Sequence, residues 1–167
     1  MKIKIINTGG TFNKVYDKIK GELVVPKNNY AVEEIIKKSF IDRNIQFDIE
    51  GIIYKDSLDM TNEDRKLILE KIKKSKENKI IIIHGTDTID KTADFLNQHF
   101  KDKQIILTGA MEPFSINKIE ATSNFSLALS HLILTNKKGI YIAMNGLISS
   151  YKNIIKDRKL GVFKQVN

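Results

Sequence analysis

The sequence predicts an open, doubly wound α/β sheet in three layers, with parallel strands and helices on both faces. Two observations carry this. Residues 80–83, 104–107 and 140–144 are short, branched apolar runs, and helix-period stretches alternate with them along the chain. Continuous Ile and Leu runs suit strands buried on both faces, as in a parallel sheet. Right-handed crossovers between such strands then place the connecting helices on both sides.

Taken in order, residues 2–7 open with a β pattern and meet Asn7-Thr8-Gly9-Gly10-Thr11. Residues 12–25 break the alternation: Val15, Ile19, Leu23 and Val25 around Gly21 suit a β-hairpin or a mobile lid directly after the first strand. A helix is expected over 31–40, then a strand over 46–54, in which Phe47 and Ile49 alternate before Ile52-Ile53. The helix expected over 62–76 has Thr61 as N-cap and an apolar stripe of Leu67, Ile68 and Ile72. Strand 80–83 is followed by a helix over 90–100 with Ala93, Leu96 and Phe100 inward. Strand 104–107 is followed by a helix over 120–134 with Phe125, Leu129 and Leu132 inward, and strand 140–144 closes the series.

Composition bounds the function. The 167 residues form one expected domain, 1–167, long enough to bury roughly 70% of the unfolded surface. With no cysteine there is no disulfide framework, no thiolate nucleophile and no zinc-thiolate site. The opening residues leave no room for a signal peptide, and no run approaches the roughly 20 apolar residues of a membrane helix. A cytoplasmic protein without membrane contact is expected. The net charge of +8 is largely lysine, Arg43, Arg65 and Arg158 being the only arginines. Bidentate reading of bases and phosphates relies on arginine, so nucleic-acid binding is disfavoured. His99 and His131 fall in helical segments, away from His84, which argues against a metal site.

Ligands of open α/β sheets bind beyond the carboxyl ends of the strands, and those ends are polar here. They read Thr8-Gly9-Gly10-Thr11, Asp56-Ser57-Leu58-Asp59, His84-Gly85-Thr86-Asp87-Thr88, Thr108-Gly109-Ala110-Met111 and Asn145-Gly146. Paired glycines allow a sharp turn and can aim N–H groups at an oxyanion, and an adjacent hydroxyl can act as nucleophile. The first motif has neither the dinucleotide spacing nor the P-loop lysine, and by itself it is also compatible with a plain tight turn. No G-x-S-x-G accompanies His84, which is read as orienting a loop. Threonine, aspartate and a lysine are the remaining chemistry, although Asp87 alone could equally cap the following helix.

These motifs together, in this order, resemble the bacterial-type L-asparaginases. Thr8-Gly9-Gly10-Thr11 is similar to the family's first active-site motif, and His84-Gly85-Thr86-Asp87-Thr88 to its second through all five residues. Ser57-Leu58-Asp59-Met60 resembles its S-x-D-M segment, and Leu107-Thr108-Gly109-Ala110-Met111 its fourth strand and loop. Counting on from Met144-Asn145, Lys156 falls where the family carries its catalytic lysine, and Tyr16 lies in the lid segment, where the family has an assisting tyrosine. The resemblance implies catalytic roles for Thr11 as acyl acceptor, Thr86, Asp87, Lys156 and Tyr16. It implies substrate binding at Gly10, Ser57, Asp59, Gly85 and Asp87, with N–H groups at Gly10 and near Thr86 serving the oxyanion. Side-chain amide hydrolysis of L-asparagine or a similar amino-acid amide follows, with no metal or organic cofactor. The alternative is a weak or inactive amino-acid-binding or partner-dependent module, including an amidotransferase-type subunit. Only the larger N-terminal domain is matched, so the C-terminal domain and its substrate-binding Glu are expected to be absent. The expected partner is a second copy of the chain, or a separate chain that supplies the missing domain.

Overall fold

The computed structural model describes residues 1–40 and 44–166, so Arg43 lies outside the described residues. Its main sheet has six strands: β1 (Lys2–Gly9), β4 (Gln46–Lys55), β5 (Lys79–Ile83), β6 (Gln104–Thr108), β7 (Gly139–Met144) and β8 (Leu147–Ser150). Two further strands, β2 (Val15–Asp17) and β3 (Glu22–Val24), form the hairpin expected after β1. The spatial order is β4-β1-β5-β6-β7-β8, parallel except for the β7–β8 pair. The chain winds from β1 outward to β4 and then back past β1 to β5. The topological switch, where a crevice opens, therefore lies between the ends of β1 and β5.

Helices α2 (Asn62–Lys74) and α3 (Ile89–Asn97) cover one face, with Ile68, Ile72, Ala93 and Leu96 packed on Ile6, Ile82, Leu107 and Ile142. Helices α1 (Tyr30–Ser39) and α4 (Lys118–Leu134) cover the other, with Val32, Ile35, Phe125 and Leu129 on Ile3, Ile5, Ile83 and Ile106. Alternate residues of one strand thus serve opposite cores, as the pleat demands. The three expected layers are present, and only the helix and strand ends differ by a few residues. Thr61 caps α2 as read, in a reciprocal capping box with Asp64.

Beyond β7 the architecture departs from expectation. Asn145 and Gly146 both have positive φ, at 50° and 78°, and turn the chain straight into antiparallel β8. Asn-Gly between apolar residues is the usual two-residue hairpin turn. A 3₁₀ turn, Tyr151–Asn153, leads to a second hairpin, β9 (Ile154–Asp157) with β10 (Val162–Gln165). Ile154 and Phe163 are buried in the α2–α3 core, and the Phe163 N–H donates to Asn145 Oδ1 at 3.0 Å. These contacts dock the hairpin beside the end of β7, from which Lys156 reaches the loop after β5.

Candidate active site

The loop after β1 is shaped by buried amides. Asn13 Nδ2 donates to Asn7 Oδ1 at 2.9 Å and to Gly9 O at 2.7 Å, which closes the 3₁₀ turn Thr11–Asn13 over the strand end. Thr8 Oγ1 donates to Ile83 O at 2.7 Å and ties β1 to β5. Gly10 has φ 73° and ψ −178°, a conformation essentially restricted to glycine. A Cβ there would lie 2.5 Å from Gly85 Cα, and one on Gly85 would lie 2.6 Å from Ser57 Cβ. The loops after β1, β4 and β5 are therefore in backbone contact. One polar expectation is corrected: the Gly10 N–H donates to Lys55 O at 2.9 Å, so it is not available to an oxyanion. The N–H groups of Thr11 and Thr86 have no acceptor among the described residues.

Lys156, on β9, is brought to the end of β5. Its Nζ donates to Thr86 Oγ1 at 2.8 Å and to Asp87 Oδ1 at 2.7 Å. The lysine side chain is 11% exposed and the aspartate 33%, so the pair is shielded on one side and open on the other. Asp87 does not cap α3, whose N-cap is Thr88 with no side-chain bond. Instead its backbone N–H donates to Ser57 Oγ at 3.2 Å, and Arg158 Nη2 donates to Asp87 O at 2.7 Å. A cavity of about 260 Å³ lies beside the cluster, lined by Thr86, Asp87, Lys156, Ile142, Ile154 and Phe163. Thr11 is partly exposed and its hydroxyl has no hydrogen bond among the described residues, as a nucleophile awaiting an electrophile would be.

Of the expected site residues, Gly10, Thr11, Ser57, Gly85, Thr86, Asp87 and Lys156 belong to these joined loops and the docked hairpin. Ser57 is 1% exposed and serves the Asp87 loop rather than open space. Asp59 is exposed beyond it. Tyr16 is 61% exposed on β2, its hydroxyl near its own turn at Gly21, and the structure does not bring it to the cluster. At the base of this hairpin Lys14 Nζ bonds Asp56 Oδ2 at 2.7 Å, and Ser115 Oγ donates to Lys14 O at 2.7 Å. Burial tends to raise the Asp56 pKa, yet its bonds to Lys14 and to the Leu58 N–H hold it below the ordinary value. Sequence reasoning missed Arg158, Asn13, Arg65 and Thr92. Asn13 bonds within its own loop, to Asn7 and Gly9, whereas Arg158, Arg65 and Thr92 act through tertiary contacts that no local spacing signals.

A doubly wound domain with unpaired N–H groups, a threonine hydroxyl and a lysine-aspartate pair at its switch point is of the class that binds and transforms small ligands at strand ends. The family model described as asparaginase, N-terminal, matches residues 2–162, and the chain belongs to that family. Glutaminase-asparaginase of Acinetobacter glutaminasificans is 31% identical over 115 residues, which are 67% of this chain and 34% of that protein. L-asparaginase 2 of Escherichia coli (strain K12) is 28% identical over 180 aligned positions, covering 99% and 49% of the two chains. Among solved structures, the probable cytoplasmic L-asparaginase from Campylobacter jejuni superposes with a TM-score of 0.79 at 27% identity, over 98% of this chain and 51% of that one. The thermostable L-asparaginase from Thermococcus kodakarensis shares the fold, with a TM-score of 0.86 at 24% identity over 100% of this chain and 52% of that one. The chain spans about half, or less, of the length of these relatives.

Proposed function

We propose that this chain hydrolyses the side-chain amide of L-asparagine, or of a similar amino-acid amide, in the crevice between the ends of β1 and β5. The observation that carries this reading is the contact of Lys156 Nζ with both Thr86 Oγ1 and Asp87 Oδ1, beside the Gly10–Gly85 contact that brings in Thr11. Thr11 Oγ attacks the amide carbon, and the oxyanion that develops is met by the unpaired N–H groups of Thr11 and Thr86. The C–N bond breaks, the nitrogen leaves as ammonia carrying the threonine proton, and an acyl-Thr11 ester remains. A water held at Thr86 and Lys156 then adds to the ester, releases aspartate and returns a proton to Thr11. Asp87 Oδ2, which has no partner among the described residues, is available to the substrate ammonium, and Lys156 keeps Oδ1 occupied. Tyr16 would reach Thr11 only if the β2–β3 hairpin swung inward from its position here.

A second copy of the chain, or a partner chain, is the proposed closing element. Ile19 on the lid, Leu58 after β4 and Leu160 on the C-terminal hairpin are 98%, 71% and 72% exposed around the strand-end face of the sheet. Exposed apolar side chains of this size mark contact surfaces when they gather. A cytoplasmic setting is supported by the absence of cysteine and by likeness to the probable cytoplasmic enzyme of C. jejuni. Among the described residues no helix is long and apolar enough to cross a membrane. The deciding experiment is ammonia release from L-asparagine by the purified protein, beside Thr11→Ala and Asp87→Ala. Release that both substitutions abolish supports hydrolysis. A folded protein with no release above the variants favours the partner-dependent reading, and light scattering then shows whether the chain is alone.

A further inference from the structure

His84 is fully buried, between α3 and the loop that carries Thr86, and the chemistry above does not use it. Its ring nitrogens have different partners. Nδ1 lies 2.7 Å from Gly85 O, and Nε2 lies 2.8 Å from Thr92 Oγ1 on α3. Thr92 Oγ1 in turn accepts from Arg65 Nε on α2 at 3.2 Å. Thr92 is 0% exposed and Arg65 is 7% exposed, so water cannot readily replace a wrongly placed proton.

Each link of this chain has one permitted direction. Gly85 O can only accept, which fixes the proton of the neutral ring on Nδ1 and leaves Nε2 to accept from the Thr92 hydroxyl, while Arg65, which can only donate, takes one of the two lone pairs of Thr92. The reverse order would set a bare Nδ1 against Gly85 O, although Thr92, with two lone pairs, could still accept from both Arg65 and Nε2. One buried pair, Nδ1 with Gly85 O, would be left unmade, at about 1–3 kcal/mol for each unsatisfied group. Burial, with Arg65 adding to it, lowers the His84 pKa to about 4, against the opposing pull of the Gly85 carbonyl and Asp90. The ring is neutral across the working range.

The consequence falls on the next peptide. The chain has no cis peptide bond, and in a planar trans peptide the C=O and the following N–H point in opposite directions. With Gly85 C=O drawn inward by His84, the Thr86 N–H is turned outward to the crevice, where it has no acceptor among the described residues. We propose that Arg65, Thr92 and His84 form a proton-ordered chain that aims the Thr86 N–H at the reacting amide, His84 acting as a positioning residue fixed in its Nδ1–H tautomer. The same guanidinium donates through Nη1 to Thr61 O at 3.2 Å and Met60 O at 3.4 Å, so it also braces the loop whose Ser57 receives the Asp87 N–H. The role given to the Thr86 N–H rests on the hydrolysis reading, while the proton order does not.

The test is ¹⁵N–¹H NMR of the histidine rings and of the Thr86 amide, run beside steady-state ammonia release. In the unmodified protein the His84 ring should show a protonated Nδ1 and a bare Nε2. Thr92→Val keeps the shape and removes the hydroxyl. It should relax that tautomer preference, shift the Thr86 amide resonance and lower kcat at least about ten-fold with KM within about two-fold, because a single oxyanion donor supports about 10²–10³ in kcat. Thr92→Ser restores the hydroxyl and should restore all three readouts. If Thr92→Val does not fold, Arg65→Gln replaces it, since a carboxamide can offer Thr92 either polarity and loosens the order. A protonated Nε2 in the unmodified protein, or a Thr92→Val protein whose tautomer and Thr86 resonance are unchanged, overturns the proposal. Absence of ammonia release together with the expected ring tautomer and Thr86 shift would overturn the hydrolysis reading and leave the proton-ordered chain standing.

Discussion

The burial of a neutral His84 makes a quantitative claim about acid stability. Its pKa is lowered from 6.5 to about 4, first by burial and then by Arg65. An unfolded chain takes up a proton there as pH falls through 6.5, and the folded chain does not until about 4. Unfolding therefore binds protons across this window, and stability must fall as pH falls. At about 1.4 kcal/mol for each pH unit, the interval corresponds to about 3 kcal/mol, fully present above 6.5 and lost by about pH 4. Urea unfolding at several pH values between 7 and 4, followed by circular dichroism, gives the slope. His84→Gln provides the reference: a carboxamide can donate to Gly85 O and accept from Thr92 but does not titrate. His131, also lowered chiefly by burial, contributes with the same sign in both proteins and cancels. Depressed carboxylates such as Glu77, held at about 2 by Ser75 and Lys2, lose their contribution from about pH 5 downward, equally in both proteins, and so cancel as well. The unmodified protein should lose about 3 kcal/mol more than His84→Gln between pH 7 and 4. Parallel stability curves would refute the neutral, buried imidazole and the proton order built on it.

Other substitutions separate chemistry from scaffold. Lys156→Met removes the ammonium shared by Thr86 and Asp87, and ammonia release should fall by about 10²–10⁴ with the melting temperature little changed. Gly10→Ala forces a side chain into a glycine-only conformation and onto Gly85, so chemical denaturation should show a loss of about 2 kcal/mol or more together with loss of activity. Thr61→Ala breaks the capping box of α2 and should cost about 1 kcal/mol in urea unfolding while leaving kcat unchanged, because only the Thr61 carbonyl meets Arg65.

The main sheet was legible because its central strands are nearly pure branched residues. Residues 80–83 and 104–107 can be buried on both faces only in a parallel sheet covered twice, and the helix stripes between them supply the covers. The end of the chain was less legible, since Ile154-Ile155 and Val162-Phe163 are isolated apolar pairs in charged stretches, too short to give a period. Asn145-Gly146 carries the hairpin signal plainly, although its place after β7 suggests another ligand loop. Lys156 is singled out only by the family resemblance, counting on from Met144-Asn145, and its contacts with Thr86 and Asp87 are made through the β9–β10 hairpin. Arg65 could not be read as a partner of His84. Two helices from separate crossovers must pack before Thr92 lies between them, and nothing in the spacing of 65, 84 and 92 records that. Engagement of the Gly10 N–H by Lys55 O is likewise a contact between loops.

What makes the site compact is the absence of side chains at its joints. Thr11 and Thr86 are far apart in sequence and become neighbours because β1 and β5 pair in the sheet, Asn7 beside Ile83, with Thr8 bonded across to Ile83 O. Gly10 against Gly85, Gly85 against Ser57, and Gly109 against the His84 carbonyl each bring backbones closer than any Cβ allows. Four loops are thereby locked by contacts that hold no rotamer freedom, and the chemistry is carried by the residues beside each joint: Thr11 after Gly10, Thr86 after Gly85. The lysine comes from outside this arrangement, on a short ribbon held by Ile154, Phe163 and Asn145. The loop peptides are thus fixed by the sheet and its glycines, while the placement of the cation depends on how firmly that ribbon docks.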